Sequence, residues 1–241
     1  MGSSDRRQRE KEQRKTEIID AAEHLFFSRG YEDVSMDDIA REVDLNKATI
    51  YLYFENKETL FATIVLRGIR ILKEKYMKCM ENQVPGIVKV ALMGQAYYQF
   101  SLEYPEYLRL IHFFGSERFS KENPYTAEIA KGYGTCRTIL RDAMQEGIGD
   151  GTIRADLDPW LISMYLMISF MGILSMEDKW KRVIEAEGFS YGQFTSEFFR
   201  FIIPAISSGE KSYKMDARDF AAFGLFLTEP VASGKRKREK S

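Results

Sequence analysis

The stretch SMDDIAREVDLNKATIYLYFENKETL, residues 35–60, decides how this chain folds. Ser35 and Asp38 have the spacing of a capping box, in which each residue satisfies an orphan N–H of the helix start. Met36, Ile39, Ala40 and Val43 follow at i, i+3, i+4 and i+7, the inward stripe of a short helix. Asp44-Leu45 interrupts it. Asn46 is placed to cap a second short helix, expected over 47–53, and Asn56 to cap a long one running from Lys57 to about Met80. Two short helices joined by a tight turn, with another helix packed beneath, make a helix-turn-helix. The polar start of the second helix then points at base edges in the major groove.

On that reading Lys47 can donate to guanine O6 and N7, Thr49 can bond or touch a thymine methyl, and Ala48 leaves room for close approach. Tyr51 and Tyr53 can reach phosphate oxygens, which sets register without reading sequence. Tyr51 is the expected phosphate contact of the pair. Lys57, with the N–H groups of its helix turn, is expected beside the opposite backbone.

Upstream, Ile18, Ala22, Leu25 and Phe26 form the apolar face of a helix over 16–28 that stops at Gly30. Downstream the chain is helical almost throughout. Pro85-Gly86, Pro105, Pro124, Pro159 and Ser190 open further helices, a short one is expected over 216–227, and runs of alternating β-branched residues are missing. The fold expected is all-α.

The segment 35–60 resembles the DNA-binding signature of the TetR family of transcriptional regulators. The likeness runs in register from about Arg14 to Glu74, through Phe26, Gly30-Tyr31, Ile39-Ala40, Thr49-Ile50-Tyr51, Tyr53-Phe54 and Asn56-Lys57-Glu58. Asp44 stands where the family usually has glycine, and Asn46 where serine is common. Both are tolerable, since Asp accepts the left-handed region better than most side chains and Asn caps as well as Ser. The resemblance implies an N-terminal three-helix DNA-binding domain over 14–74 and a helical effector-binding and dimerisation domain over 75–228. Charged termini at 1–13 and 229–241 are expected to be flexible. It further implies a homodimeric repressor on a near-palindromic operator, released when a small apolar or amphipathic molecule moves helix four. Ser35, Met36 and Asn46 complete the expected DNA-side set. Tyr104-Pro105-Glu106 and the 151–158 segment also resemble phrases of the family.

Charge complicates this. Residues 1–60 carry ten Lys plus Arg and 14 Asp plus Glu, against 35 and 36 in the whole 241-residue chain. A DNA-binding domain is expected to be basic, so the positive charge has to be segregated. Residues 1–15, with six basic and three acidic side chains, are one place where it is.

Between Asp158 and Glu177 lie 18 uncharged residues. A helix buried against its own core and a second subunit accounts for them better than a membrane span. Trp160, Met164, Met167 and Met171 form one stripe; Leu161, Tyr165, Ile168 and Gly172 form another. With Phe194, Phe198 and Phe201 of a following helix, the second stripe is the expected dimer interface. Tyr97, Tyr98, Tyr107, Phe113 and Phe114, with Met164, Met167 and Met171, are the candidate effector lining, and Phe100 and His112 lie among them. For any one of these, plain core filling is the better explanation.

No cofactor or metal is expected. The two cysteines, Cys79 and Cys136, and the two histidines, His24 and His112, are too scattered for a zinc site. Met1 to Lys15 has no apolar run of the secretory kind, so a cytoplasmic location is expected. Asp150, Asp156 and Asp158 sit in a connecting loop and suit capping more than catalysis. Two other classes stay open at this point: a helical adaptor that binds only protein, and an enzyme using the C-terminal helices.

Overall fold

The computed structural model describes residues 3–114 and 124–209. Their regular structure is ten helices: α1 (Ser3–Arg29), α2 (Met36–Glu42), α3 (Lys47–Tyr51), α4 (Lys57–Met80), α5 (Gly86–Glu103), α6 (Pro105–Phe114), α7 (Pro124–Gly149), α8 (Pro159–Leu174), α9 (Asp178–Ala186) and α10 (Tyr191–Ile206). One isolated antiparallel bridge joins Ile153 and Ser207. The expected helix over 216–227 and the tail 229–241 lie outside the described residues.

Two helices differ from expectation for local reasons. Helix α1 extends back to Ser3, so most of the segment expected to be flexible is helical. Pairs three or four residues apart hold it: Arg6 with Glu10 at 2.8 Å, Gln8 with Glu12 at 3.1 Å and Arg14 with Glu17 at 2.7 Å. Helix α9 went unforeseen. It puts Trp180, Val183 and Ile184 at i, i+3 and i+4 and follows α8 at an 83° bend, after too short a break to stand out as a separate apolar run. No single helix among the described residues is long and apolar enough to cross a membrane.

The chain divides into two compact units. Among the described residues the first comprises 3–81, 96–114 and 124–139, and the second 82–95 and 140–209. In the first, α4 packs on α1 and α6. Its core is aromatic: Phe61 meets Phe26 edge-on at 5.4 Å, Tyr31 at 4.7 Å, Phe113 at 5.9 Å and Phe114 at 6.3 Å. In the second unit the start of α5 crosses the end of α7 so closely that a methyl at Gly86 would lie 2.1 Å from the Gly147 backbone nitrogen. The acidic loop secures that crossing. Asp150 accepts from the Gly86 N–H at 2.8 Å, while Asp158 caps α8 by accepting from the Leu161 N–H at 2.8 Å. Phe170 of α8 packs on Phe198 and Phe199 of α10 at 5.7 and 4.7 Å.

Candidate nucleic-acid interface

Local chemistry builds the α2–turn–α3 unit. The Ser35 hydroxyl accepts from the Asp38 N–H at 3.2 Å and the Asp38 carboxylate accepts from the Ser35 N–H at 2.9 Å, closing the capping box. These Ser35 bonds, aided by Arg41, hold the Asp38 carboxyl below the usual carboxylate range. Helix α2 ends in a Schellman turn: Leu45 N–H donates to Ala40 C=O at 2.9 Å and Asp44 N–H to Arg41 C=O at 3.3 Å. Asp44 occupies the left-handed position of that turn with φ 52°, where glycine avoids a steric cost. Asn46 then caps α3, accepting from the Thr49 N–H at 2.8 Å and the Thr49 hydroxyl at 2.9 Å. Helix α3 ends at Tyr51, two residues short of expectation.

Ile50 anchors α3 in the core, and its outer face is Lys47, Ala48, Tyr51 and Leu52. Tyr51 is 45% exposed, whereas Tyr53 is half-buried. Thr49 is half-buried as well, with its hydroxyl proton given to Asn46. Leu52, 78% exposed, belongs to the outer face although the sequence reading passed over it. Its spacing of four from Ala48 is the signal that would have found it.

Three expected site residues are placed otherwise than foreseen. Met36 is only 6% exposed and belongs to the core, as its position in the α2 stripe requires. Lys57 is turned inward. Its ammonium donates to the Tyr31 carbonyl at 2.9 Å and the Val34 carbonyl at 2.8 Å and lies 4.2 Å from the Tyr31 ring centre. Burial pulls the Lys57 pKa below the ordinary lysine value and pushes that of Tyr31 up. Lys47 is exposed but paired, its ammonium 2.6 Å from Asp37 of α2, and that hydrogen bond raises the lysine pKa. Asp37 therefore borders the outer face, a neighbour that no periodicity could show ten residues away.

A polar network ties α1 to α4 and α6 within the same unit. Arg67 reaches Asp20 at 2.8 Å and Glu23 at 2.9 Å, and the Tyr107 hydroxyl donates to Glu23. Arg109 adds a bond to the Phe27 carbonyl at 2.8 Å.

The candidate effector residues separate. Tyr97, Tyr98, Tyr107, Phe113 and Phe114 fall in the first unit, and Met164, Met167 and Met171 in the second. Phe113 and Phe114 fill the aromatic core around Phe61. Tyr107 is occupied with Glu23. Tyr97 keeps different company: burial drives its pKa up, and Tyr133 and Cys136 lie close enough to add to the shift. Tyr76 and Cys79 join this group of buried phenols and thiols, with both thiols pushed up to about 11 by burial. Sequence reading missed Tyr76 and Tyr133 because their spacing is that of ordinary core positions. Leu161, Tyr165, Ile168 and Gly172, the expected dimer stripe, are all exposed, as are Phe194 and Phe201; Phe198 is half-buried against Phe170. Among the described residues no group of three or more His, Cys, Asp or Glu side chains gathers to hold a metal.

Comparison with known proteins bears on the same segment. The family model described as "Bacterial regulatory proteins, tetR family" matches residues 18–64. The chain is 38% identical over 72 residues to the uncharacterized HTH-type transcriptional regulator YhgD of Bacillus subtilis, an alignment covering 30% of this chain and only 38% of that protein. It is 28% identical over 188 residues to the HTH-type transcriptional repressor SCO4008 of Streptomyces coelicolor, covering 75% of this chain and 88% of the repressor. A crystal structure of a TetR/AcrR-family regulator from Thermobifida fusca superposes with a TM-score of 0.65 at 22% identity, over 79% of this chain and 97% of that one.

Proposed function

Because the chain belongs to the TetR family of transcriptional regulators, we propose that it acts as a homodimeric repressor that binds a near-palindromic operator and leaves it when a small apolar or amphipathic effector enters the helical core. The observation that carries this reading is the outer face of α3. Lys47, Ala48, Tyr51 and Leu52 stand together on a helix fixed by the Asn46 cap and the buried Ile50. A helix of this size laid in the major groove offers Lys47 to a guanine edge, Ala48 and Leu52 to thymine methyls, and the Tyr51 hydroxyl to a phosphate. Ser35 and Asn46 act through the caps that aim the two helices, and Lys57 by stapling α4 to the loop before α2.

The division near residue 74 remains our functional boundary, with DNA binding before it and effector binding and dimerisation after it. Dimerisation falls to α8 and α10, whose exposed Leu161, Tyr165, Ile168, Phe194 and Phe201 offer apolar surface for a second copy to cover. The effector site is assigned to the buried phenols and thiols around Tyr97 in the first unit, with its chain neighbour Tyr98. Met164, Met167 and Met171 stay candidates for apolar lining within the second. Strain around Tyr97 would reach α1 through Arg67 and the Tyr107–Glu23 bond. Such a regulator works in the cytoplasm and needs neither catalysis nor a cofactor.

Selection of bound sequences from a random duplex pool, repeated with a panel of apolar compounds, tests the reading. A palindromic consensus whose recovery falls with one class of compound is expected. Recovery with no base preference would overturn it.

A further inference from the structure

The charge of the DNA-binding segment poses a problem that helix α1 resolves. Residues 16–60 contain four basic and eleven acidic side chains. Lys57 is drawn into the fold and Lys47 is paired with Asp37. A duplex presents one negative charge per about 1.7 Å of its axis, so this surface by itself is poorly matched to phosphates. The compensating charge is on the part of α1 that precedes the family match at residue 18.

There Arg7, Lys11, Arg14 and Lys15 fall at i, i+4, i+7 and i+8, one face of the helix. The carboxylates lie to either side of that face and are engaged: Glu10 by Arg6, Glu12 by Gln8, and Glu17 by Gln13 and Arg14. Residues 4–14 are exposed throughout. The stripe is also anchored in the right place. The Lys15 ammonium lies 5.9 Å from the ring centre of Phe54, the residue after Tyr53 at the exit from α3. At 1.5 Å per residue the stripe from Arg7 to Lys15 is about 12 Å long, enough to face several phosphates.

We infer that this basic face of α1 is a second duplex-DNA contact, a phosphate clamp of Arg7 and Lys11 that starts beside the recognition helix and supplies charge the helix-turn-helix lacks. The inference rests on the DNA-binding reading above. It is separable from it, because a phosphate clamp carries affinity and salt dependence but no base preference.

The test uses the full chain and compares Arg7→Gln/Lys11→Gln with Arg6→Gln/Arg9→Gln, which removes equal charge from the other faces of the same segment. Gln keeps the helix propensity of Lys and Arg, and circular dichroism checks that each variant stays folded. Affinity is measured between 50 and 200 mM salt on the selected operator and on a scrambled duplex. With two phosphates left unneutralised in each of two half-sites, the slope of log K against log salt should flatten by about 3.6. The wild-type advantage should then shrink by about two orders of magnitude over that range, equally on both duplexes. Base preference should not change, Arg7→Lys made alone should keep the wild-type slope, and so should the Arg6/Arg9 variant. An unchanged slope for the Arg7/Lys11 variant, with wild-type base preference intact, overturns the clamp alone. Equal flattening by both variants overturns the assignment to this face. A wild-type chain without base preference overturns the underlying reading as well.

Discussion

Helices α3 and α8 face outward with opposite chemistry. Helix α3 is five residues long, and one buried side chain, Ile50, with the Asn46 cap keeps it in place. Helix α8 is sixteen residues long and almost wholly apolar, yet it buries only Ser163 and Phe170. A short helix that spends few residues on its own core leaves a polar, cationic and aromatic surface suited to a duplex. A long one that leaves Leu161, Tyr165 and Ile168 in water is unstable as a free surface and calls for an apolar partner. The outward face of each helix, more than its buried one, is therefore what the proposed role of each helix rests on.

That contrast breaks most visibly at Ile168. Ile168→Glu should turn a dimer into a monomer by sedimentation without lowering helicity, because the side chain is exposed within the chain. Operator affinity should fall by about 100-fold or more as the two half-sites lose their linkage. A variant that remains dimeric would remove α8 from the interface.

The two lysines sharpen the other side. Lys57→Met should lower stability to urea by about 1.5–3 kcal/mol, the worth of hydrogen bonds made by a charged donor, and leave base preference intact. Lys47→Ala should change stability by less than about 0.5 kcal/mol but lose about 1–3 kcal/mol of discrimination at one base pair per half-site. The reverse pattern, with Lys47 stabilising and Lys57 reading, would exchange their roles.

A smaller effect is expected at Asp44. Glycine should relieve its left-handed backbone, and Asp44→Gly should raise stability by about 0.5 kcal/mol while Asp44→Ala lowers it by about 1 kcal/mol. Thermal denaturation of the two variants measures the difference. The slightest effect concerns His112 on α6, whose Nε2 is buried without a hydrogen-bond partner and whose pKa burial lowers. The unfolded chain then binds a proton that the folded chain resists. Stability from this group is complete above the unfolded value of about 6.5 and is lost as pH falls through the folded value. Denaturation curves from pH 5 to 8 should show His112→Leu losing less stability than the wild type on the acid side. Parallel curves would exclude the group.

What the sequence determined by itself was whatever depends on neighbours within a few residues. The Ser35, Asn46, Asn56, Asp158 and Ser190 caps, the proline starts and the left-handed turn at Asp44 are closed by partners at most five positions away, so the helix order, α9 excepted, and the α2–turn–α3 unit were legible in the residues. The local rule also ran further than the reading, since the paired side chains of 6–17 carry α1 back to Ser3. Tertiary structure decided the destinations of side chains whose partners are distant in the chain. Lys57 turns inward because the Tyr31 and Val34 carbonyls, 26 and 23 residues earlier, compete with solvent for its ammonium. Lys47 meets Asp37 across the turn, and Phe113 and Phe114 are drawn to Phe61 rather than left as lining. Periodicity says which residues are apolar on a common face. Only the packing of one helix on another says whether that face is filled by its own chain, as with Phe61, or left bare, as with Ile168.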